Sequence, residues 1–167
     1  LEAALPLLEE KGISAVAFAV SGLLGKTNEW DEAIGAPALR LLDADGLRRL
    51  TRKRIAIGCH SRSHRMLNRI SPEQLREEVG GAVADLEALG LERPSMLAYP
   101  YGEYDREVRK TARETGLQAA FTVAPGLVRP GGDPFQVPRI EIFRRDKGWR
   151  FLGKVLWSTR IPGFSSK

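Results

Sequence analysis

Two residue types that build most protein metal and redox sites are nearly missing from this 167-residue chain, which holds one cysteine, Cys59, and two histidines, His60 and His64. A single cysteine excludes an internal disulfide and a thiolate zinc cluster, so any metal bound here takes nitrogen and oxygen ligands. Cys59 itself reads as a small apolar filler. Also missing is any apolar run of the roughly 18 to 20 residues that a membrane-spanning helix needs, and no charged segment followed by an apolar one opens the chain. No DNA- or RNA-binding signature is present. The net charge of +5, with a pI near 9.7, comes from arginines spread along the length and reads as a solvated surface.

What remains is the composition of an ordinary globular protein, 43% hydrophobic and 28% charged, and residues 1–167 are read as one domain. Leu1, Leu5 and Leu8 stand at helical spacing, so the chain reads as opening inside or at the edge of a helix and as lacking what came before. Strand and helix patterns then alternate. A helix over Leu1 to Lys11 precedes a strand over Ile13 to Val20 with both faces expected to be buried, and a helix over Asp43 to Lys53 precedes a strand over Ile55 to Cys59. Ser71-Pro72-Glu73-Gln74 is a helix start with Ser71 as N-cap, Pro72 in the first turn and Gln74 closing a capping box. Leu75, Val79, Ala82, Leu86 and Leu89 give that helix an apolar stripe, and Gly90 ends it.

Further strands are expected over Ser95 to Tyr99, Ala119 to Val123 and Gln136 to Ile142, with helices over Tyr104 to Thr115 and Trp149 to Thr159. Such alternation argues for βα units with a parallel sheet or barrel. The last helix, with Trp149, Leu152, Val155 and Leu156 between Arg150, Lys154 and Arg160, is expected to pack on the barrel and not to anchor in a membrane.

His60 and His64 follow the Ile55 to Cys59 strand in an H-x-x-x-H spacing that lets two imidazoles converge on one ion. Ligand sites in α/β folds gather at such strand ends. Two satisfied or surface histidines are the alternative. Gly22-Leu23-Leu24-Gly25-Lys26-Thr27 ends like a phosphate-binding loop, but position 20, where the first glycine belongs, is Val20, and no strand ends in a magnesium-binding aspartate. A glycine-rich loop above the sheet is preferred. No G-x-S-x-G elbow supports a serine hydrolase. Pro100-Tyr101-Gly102 fixes a tight turn that can aim a backbone N–H at a developing oxyanion, or is simply a turn.

Taken in order, Gly25-Lys26-Thr27-Asn28, Ile57-Gly58-Cys59-His60-Ser61-Arg62-Ser63-His64, Ser71-Pro72-Glu73, Ala98-Tyr99-Pro100-Tyr101-Gly102 and Asp133-Pro134-Phe135-Gln136-Val137-Pro138-Arg139-Ile140 resemble the polysaccharide deacetylases, the NodB-homology group of carbohydrate esterase family four. The likeness runs from about Leu1 to Ile142. It implies a distorted (β/α) TIM-like barrel, here lacking its first strand, and a hydrolase that removes N-acetyl or O-acetyl groups from a polysaccharide or amino sugar. It also implies a divalent metal, zinc with cobalt or nickel as substitutes, held by His60 and His64, and a backbone N–H at Tyr101 that contacts the oxyanion. An acetylated sugar is the implied partner, with no nucleic acid and no membrane span.

Three departures from the family pattern carry consequences. The Thr-Phe-Asp-Asp motif with the base and the third ligand is absent, Ala98 stands where many members have an arginine that orients the base, and both histidines are used, which leaves none for the Leu-x-His general acid. Arg139 is expected to point at the site and substitute for the arginine missing at Ala98, with a surface arginine as the alternative. The fragment is expected to be inactive by itself. A non-catalytic carbohydrate-binding relative is the rival reading, and a nucleotide hydrolase or nucleic-acid-binding module trails both.

Overall fold

The computed structural model describes residues 4–158. Four short strands, β1 (Ala15–Ala19), β2 (Ile55–Cys59), β3 (Met96–Ala98) and β4 (Ala119–Phe121), form one sheet in the order β1-β2-β3-β4, every neighbouring pair parallel. Spatial order equal to chain order is how a (β/α) barrel winds, whereas a doubly wound sheet reverses at a switch point. The helices α2 (Ala44–Thr51), α3 (Pro72–Ala88) and α4 (Arg106–Glu114) make the crossovers, and α1 (Ala4–Glu10) precedes β1. The expected α/β architecture of the deacetylase type is therefore present.

The core lies between the sheet and the crossover helices. Ile55, Ile57, Cys59, Leu97 and Tyr99 face Leu47 and Leu50 of α2, Leu75, Val79, Ala82, Val83 and Leu86 of α3, and Val108 and Ala112 of α4 in one buried cluster. Each large side chain hidden there contributes about 1.5–3 kcal/mol. Burial pushes the Cys59 thiol up to about 12, which makes it the inert filler expected. On the other face Phe18 lies over Gly58, where a Cβ would come within 2.5 Å of its ring, and meets Phe121 edge-on at 5.5 Å. Only glycine allows that approach.

The expected helix starts hold in atomic detail. Ser71 caps α3 with its hydroxyl accepting from Gln74 N while Gln74 Oε1 accepts from Ser71 N, and Gly90 follows the helix at φ +74°. Asp43 and Asp105 cap α2 and α4 by accepting from Gly46 N and Val108 N, without the reciprocal bond.

Three expectations need correction, for β1, for Gln136 to Ile142 and for the last helix. β1 is an edge strand, and four of its five residues are only half-buried. Gln136 to Ile142 is not a strand. It makes one isolated bridge, Phe121 to Val137, because Pro134 opens a 3-10 turn over Pro134–Gln136 and Pro138 has no N–H to continue the ladder. The loop expected over Gly22 to Thr27 lies against the histidine loop, Gly22 N donating to Arg62 O at 2.9 Å. Finally, the last helix, α5 (Trp149–Ser158), does not bury its apolar face: Trp149 is 88% exposed, Leu152 45% and Leu156 59%. Leu1, Thr159 and Arg160 lie outside the described residues. Among the described residues no helix is long and apolar enough to cross a membrane.

Candidate metal centre

His60 leaves the end of β2 with its backbone N–H donating to Ala19 O, so its ring stands at the carboxyl edge of the sheet. The chain must then turn sharply, and Ser61 and His64 adopt left-handed φ values of +61° and +60°. Each such residue costs about 1–3 kcal/mol, so the loop needs support from outside itself.

Most of that support comes from α3. The buried carboxylate of Glu78 accepts from Arg62 N at 3.0 Å, Ser63 N at 2.9 Å and Ser63 Oγ at 2.5 Å. Two helical turns on, Asp85 accepts from Arg62 Nε and Nη2, both at 2.9 Å, and from Ser21 Oγ at 2.8 Å. Within the loop, Ser61 Oγ accepts from His64 N at 2.9 Å. A Cβ at Gly22 would stand 2.6 Å from Arg62 O, so that position needs glycine.

The outcome is that the two rings meet nearly at right angles, 82°, with their Nε2 atoms 3.2 Å apart. His60 Nδ1 lies 2.7 Å from Ala98 O, which assigns its proton to Nδ1 and leaves a lone pair on Nε2. Burial lowers the His60 pKa, opposed by that carbonyl and assisted by the charge of Arg139. Burial pushes His64 down to about 4, with His60 adding to the fall and Asp31 opposing it. Both imidazoles are neutral at neutral pH, the state a metal requires.

Two nitrogens each 2.0–2.1 Å from one tetrahedral ion stand about 3.3 Å apart, so the separation found here fits a shared metal. Among the described residues no group of three histidine, cysteine, aspartate or glutamate side chains is assembled around an ion-sized space. The histidine pair supplies two donors of a set.

Over the pair lies a roof that the sequence did not reveal. A 3-10 helix over Glu29–Ile34 stacks Trp30 on His64 at 4.2 Å and 17°, and Asn28 Nδ2 donates to Asp31 at 3.1 Å while its Oδ1 accepts from Leu39 N. Its signal was the Asn28-Glu29-Trp30-Asp31 run, too short to read as a helix. Tyr101 meets His64 edge-on at 4.7 Å from the opposite loop. Its backbone sits at φ +57° inside a turn tied by Gly102 N to Tyr99 O and Glu103 N to Pro100 O. Arg139 reaches the same edge, where its Nε donates to Thr122 O at 2.7 Å. All four residues singled out from sequence, His60, His64, Tyr101 and Arg139, thus lie at one end of the sheet.

Comparison with known proteins bears on the fold and the family. The polysaccharide deacetylase family model matches residues 1–120, which include both histidines and Tyr101. YxkH of Bacillus subtilis (strain 168), which carries the same family's name, is 22% identical over 139 residues, covering 83% of this chain and 46% of that protein. Among solved structures, the Streptococcus pyogenes deacetylase PplD in complex with acetate superposes with a TM-score of 0.76 at 18% identity, covering 92% of this chain and 63% of PplD. IcaB from Ammonifex degensii gives 0.73 at 19% identity, covering 86% of this chain and 62% of that one. This chain therefore spans about half the length of its curated relative and under two thirds of these structures. With the family model matched over most of its residues, the chain belongs to the polysaccharide deacetylase family.

Proposed function

We propose that this chain carries the histidine half of a metal-dependent hydrolase that removes acetyl groups from an acetylated polysaccharide or amino sugar, and that residues 1–167 form one domain of it. The observation that supports this most directly is the 3.2 Å approach of the two neutral Nε2 atoms, with the His60 proton assigned to the other nitrogen. His60 and His64 would hold zinc, with cobalt or nickel suited to the same donors. Bound there, such an ion polarises an acyl oxygen and lowers the pKa of a water.

The chain's own residues supply the remainder of the local chemistry. Ala98 O keeps the His60 ring oriented, and the Trp30 and Tyr101 rings shield His64 from bulk water. The Tyr101 backbone N–H, presented by the strained turn, donates to the acetyl oxygen as negative charge gathers on it. Water adds to the carbonyl carbon, the C–N or C–O bond to the sugar breaks, the sugar takes the proton and acetate departs. PplD was solved with acetate, the product of such a cleavage. Arg139, its charge felt at His60, would orient the carboxylate base in place of the arginine absent at Ala98.

The base and a carboxylate ligand are proposed to come from the part of the family's length that these residues do not span, so the 167-residue chain alone would bind metal weakly and not turn over. Zinc or cobalt titration of this chain and of a protein with the Asp-Asp segment restored, together with acetate release from acetylated amino-sugar oligomers, tests the proposal. Unchanged metal binding and activity in His60→Ala and His64→Ala would overturn it. The two-donor set of the described residues also favours a second reading, a carbohydrate-binding relative without turnover. Sugar binding without acetate release by the restored protein would select it.

A further inference from the structure

His64 carries a nitrogen that the histidine pair leaves idle. The residue is only 8% exposed, and its Nδ1 is buried without a hydrogen-bond partner among the described residues. Buried polar side-chain atoms are nearly always satisfied, so an orphan of this kind needs a reason. His60 offers the contrast, since its Nδ1 donates to Ala98 O and its Nε2 lone pair faces His64 Nε2 at 3.2 Å. With that lone pair opposite, the single proton of neutral His64 stands on Nε2, and Nδ1 is left as a bare acceptor.

A shared ion reverses this. With both Nε2 lone pairs committed to it, the same proton stands on Nδ1, and none is gained or lost. Nδ1 is then a buried donor, and a buried donor without an acceptor weakens the site that depends on it. The acceptor must lie near the ring and have a lone pair to spare. Asp31 meets both conditions. It follows Trp30, whose indole stacks on His64 at 4.2 Å, and its charge is felt by His64 and by the Tyr101 ring that meets His64 edge-on. Among the described residues no other carboxylate has its charge felt at His64. Asn28 Nδ2 engages Asp31 Oδ2 at 3.1 Å, while Oδ1 has no partner among the described residues. Asn28 is itself buried and tied to Leu39 N and Pro37 O, so the carboxylate rides on a fixed support.

We propose that Asp31 is a positioning residue for the metal centre, its carboxylate accepting the Nδ1–H of His64 and fixing that ring as a ligand. The inference rests on the reading that His60 and His64 share an ion. It gives His64 the kind of outer partner that Ala98 O gives His60, a carboxylate in place of a carbonyl. The burial of Nδ1 excludes bulk water as the acceptor, which leaves the place to Asp31. The Glu29–Ile34 roof is then part of the centre and not only a cover over it.

A crystal structure of the zinc-loaded full-length protein tests this without a variant. A carboxylate oxygen of Asp31 about 2.7–2.9 Å from His64 Nδ1 is expected, and an Nδ1 that faces a backbone carbonyl or a water instead overturns the proposal. In zinc titrations of the same protein, Asp31→Ala should weaken binding about 10- to 100-fold, and Asp31→Asn, which keeps an oxygen and loses the charge, should weaken it less. Nitrogen–proton NMR correlation spectra supply a readout that a merely structural role in the roof does not move. Zinc should transfer the His64 proton from Nε2 to Nδ1, with the Nδ1–H resonance far downfield in the unmodified protein and shifted upfield in Asp31→Asn. Zinc affinity in Asp31→Ala equal to that of the unmodified protein overturns the proposal, as does weaker binding with the Nδ1–H resonance unmoved in Asp31→Asn. His60→Ala separates the two layers of the argument. Unchanged zinc binding there defeats the shared-ion reading itself, whereas its loss beside unaffected binding in Asp31→Ala defeats only the role of Asp31.

Discussion

The loop from His60 to His64 holds one arginine, the segment from Ile142 to Ser158 holds three arginines and two lysines, and the two settle their charges in opposite ways. Arg62 is held by Asp85 and Glu77, and the backbone around it by Glu78, all from one helix. In the C-terminal segment five basic residues face one acid, Asp146, which Lys154 already engages. The first region has its counterions inside the fold. The second has too few, and this difference separates a loop held in one frame from a segment whose arginines stand exposed. Left-handed residues at Ser61 and His64 persist because neighbours over-determine them.

The sharpest break in this comparison comes from removing a ligand. His60→Ala or His64→Ala in a protein with the Asp-Asp segment restored should abolish stoichiometric zinc or cobalt binding, a larger loss than the roughly 10- to 100-fold that follows when only an orienting neighbour is removed. Isothermal titration or the cobalt visible spectrum reads the result. Next in size is the clamp. Glu78→Ala leaves Arg62 N, Ser63 N and Ser63 Oγ without their shared acceptor, and a loss of about 3 kcal/mol in urea unfolding is expected, with Glu78→Gln losing less. Retained wild-type stability in the alanine variant would show that the loop holds itself.

Acidification should act on the same frame. His64 is held neutral, its pKa pushed from 6.5 to about 4 by burial, so between those values the unfolded chain binds a proton that the folded one does not. Stability is full above about pH 6.5 and is lost as pH falls toward 4, by up to about 3 kcal/mol for a shift of this size. Metal-free unfolding curves at neutral pH and near pH 5 should differ, and His64→Asn should flatten that difference. Asp133, pulled down to about 2 against burial by Phe135 N, Arg113, Gln136 and Arg109, gives up its stabilisation only at lower pH.

What the sequence made legible follows the range of the interaction. The capping box at Ser71, the H-x-x-x-H pair and the Pro100-Tyr101-Gly102 turn are local, and each stands where its spacing placed it. Glu78 and Asp85 were hidden among the charged positions of an amphipathic helix, because a carboxylate that clamps a loop 15 to 23 residues away carries no local mark. Trp30 and Asp31 were missed for the same reason. The expected strand after Gln136 had alternating apolar residues, but Pro138 interrupts the ladder that the pattern presumes. For α5, periodicity correctly gave the helix and its apolar stripe. It could not say whether that stripe meets protein, and here it meets none of the described core.

The smallest effect sharpens the contrast most. Leu86 on α3 is fully buried, and Leu86→Ala should cost about 2–5 kcal/mol through lost contacts and the cavity left behind. Trp149 on α5 is 88% exposed, so Trp149→Ala should change stability by no more than about 0.5 kcal/mol despite the larger side chain removed. Parallel urea titrations of the two variants decide the point. A loss at Trp149 comparable with that at Leu86 would mean that the Trp149 side chain is covered within the folded protein.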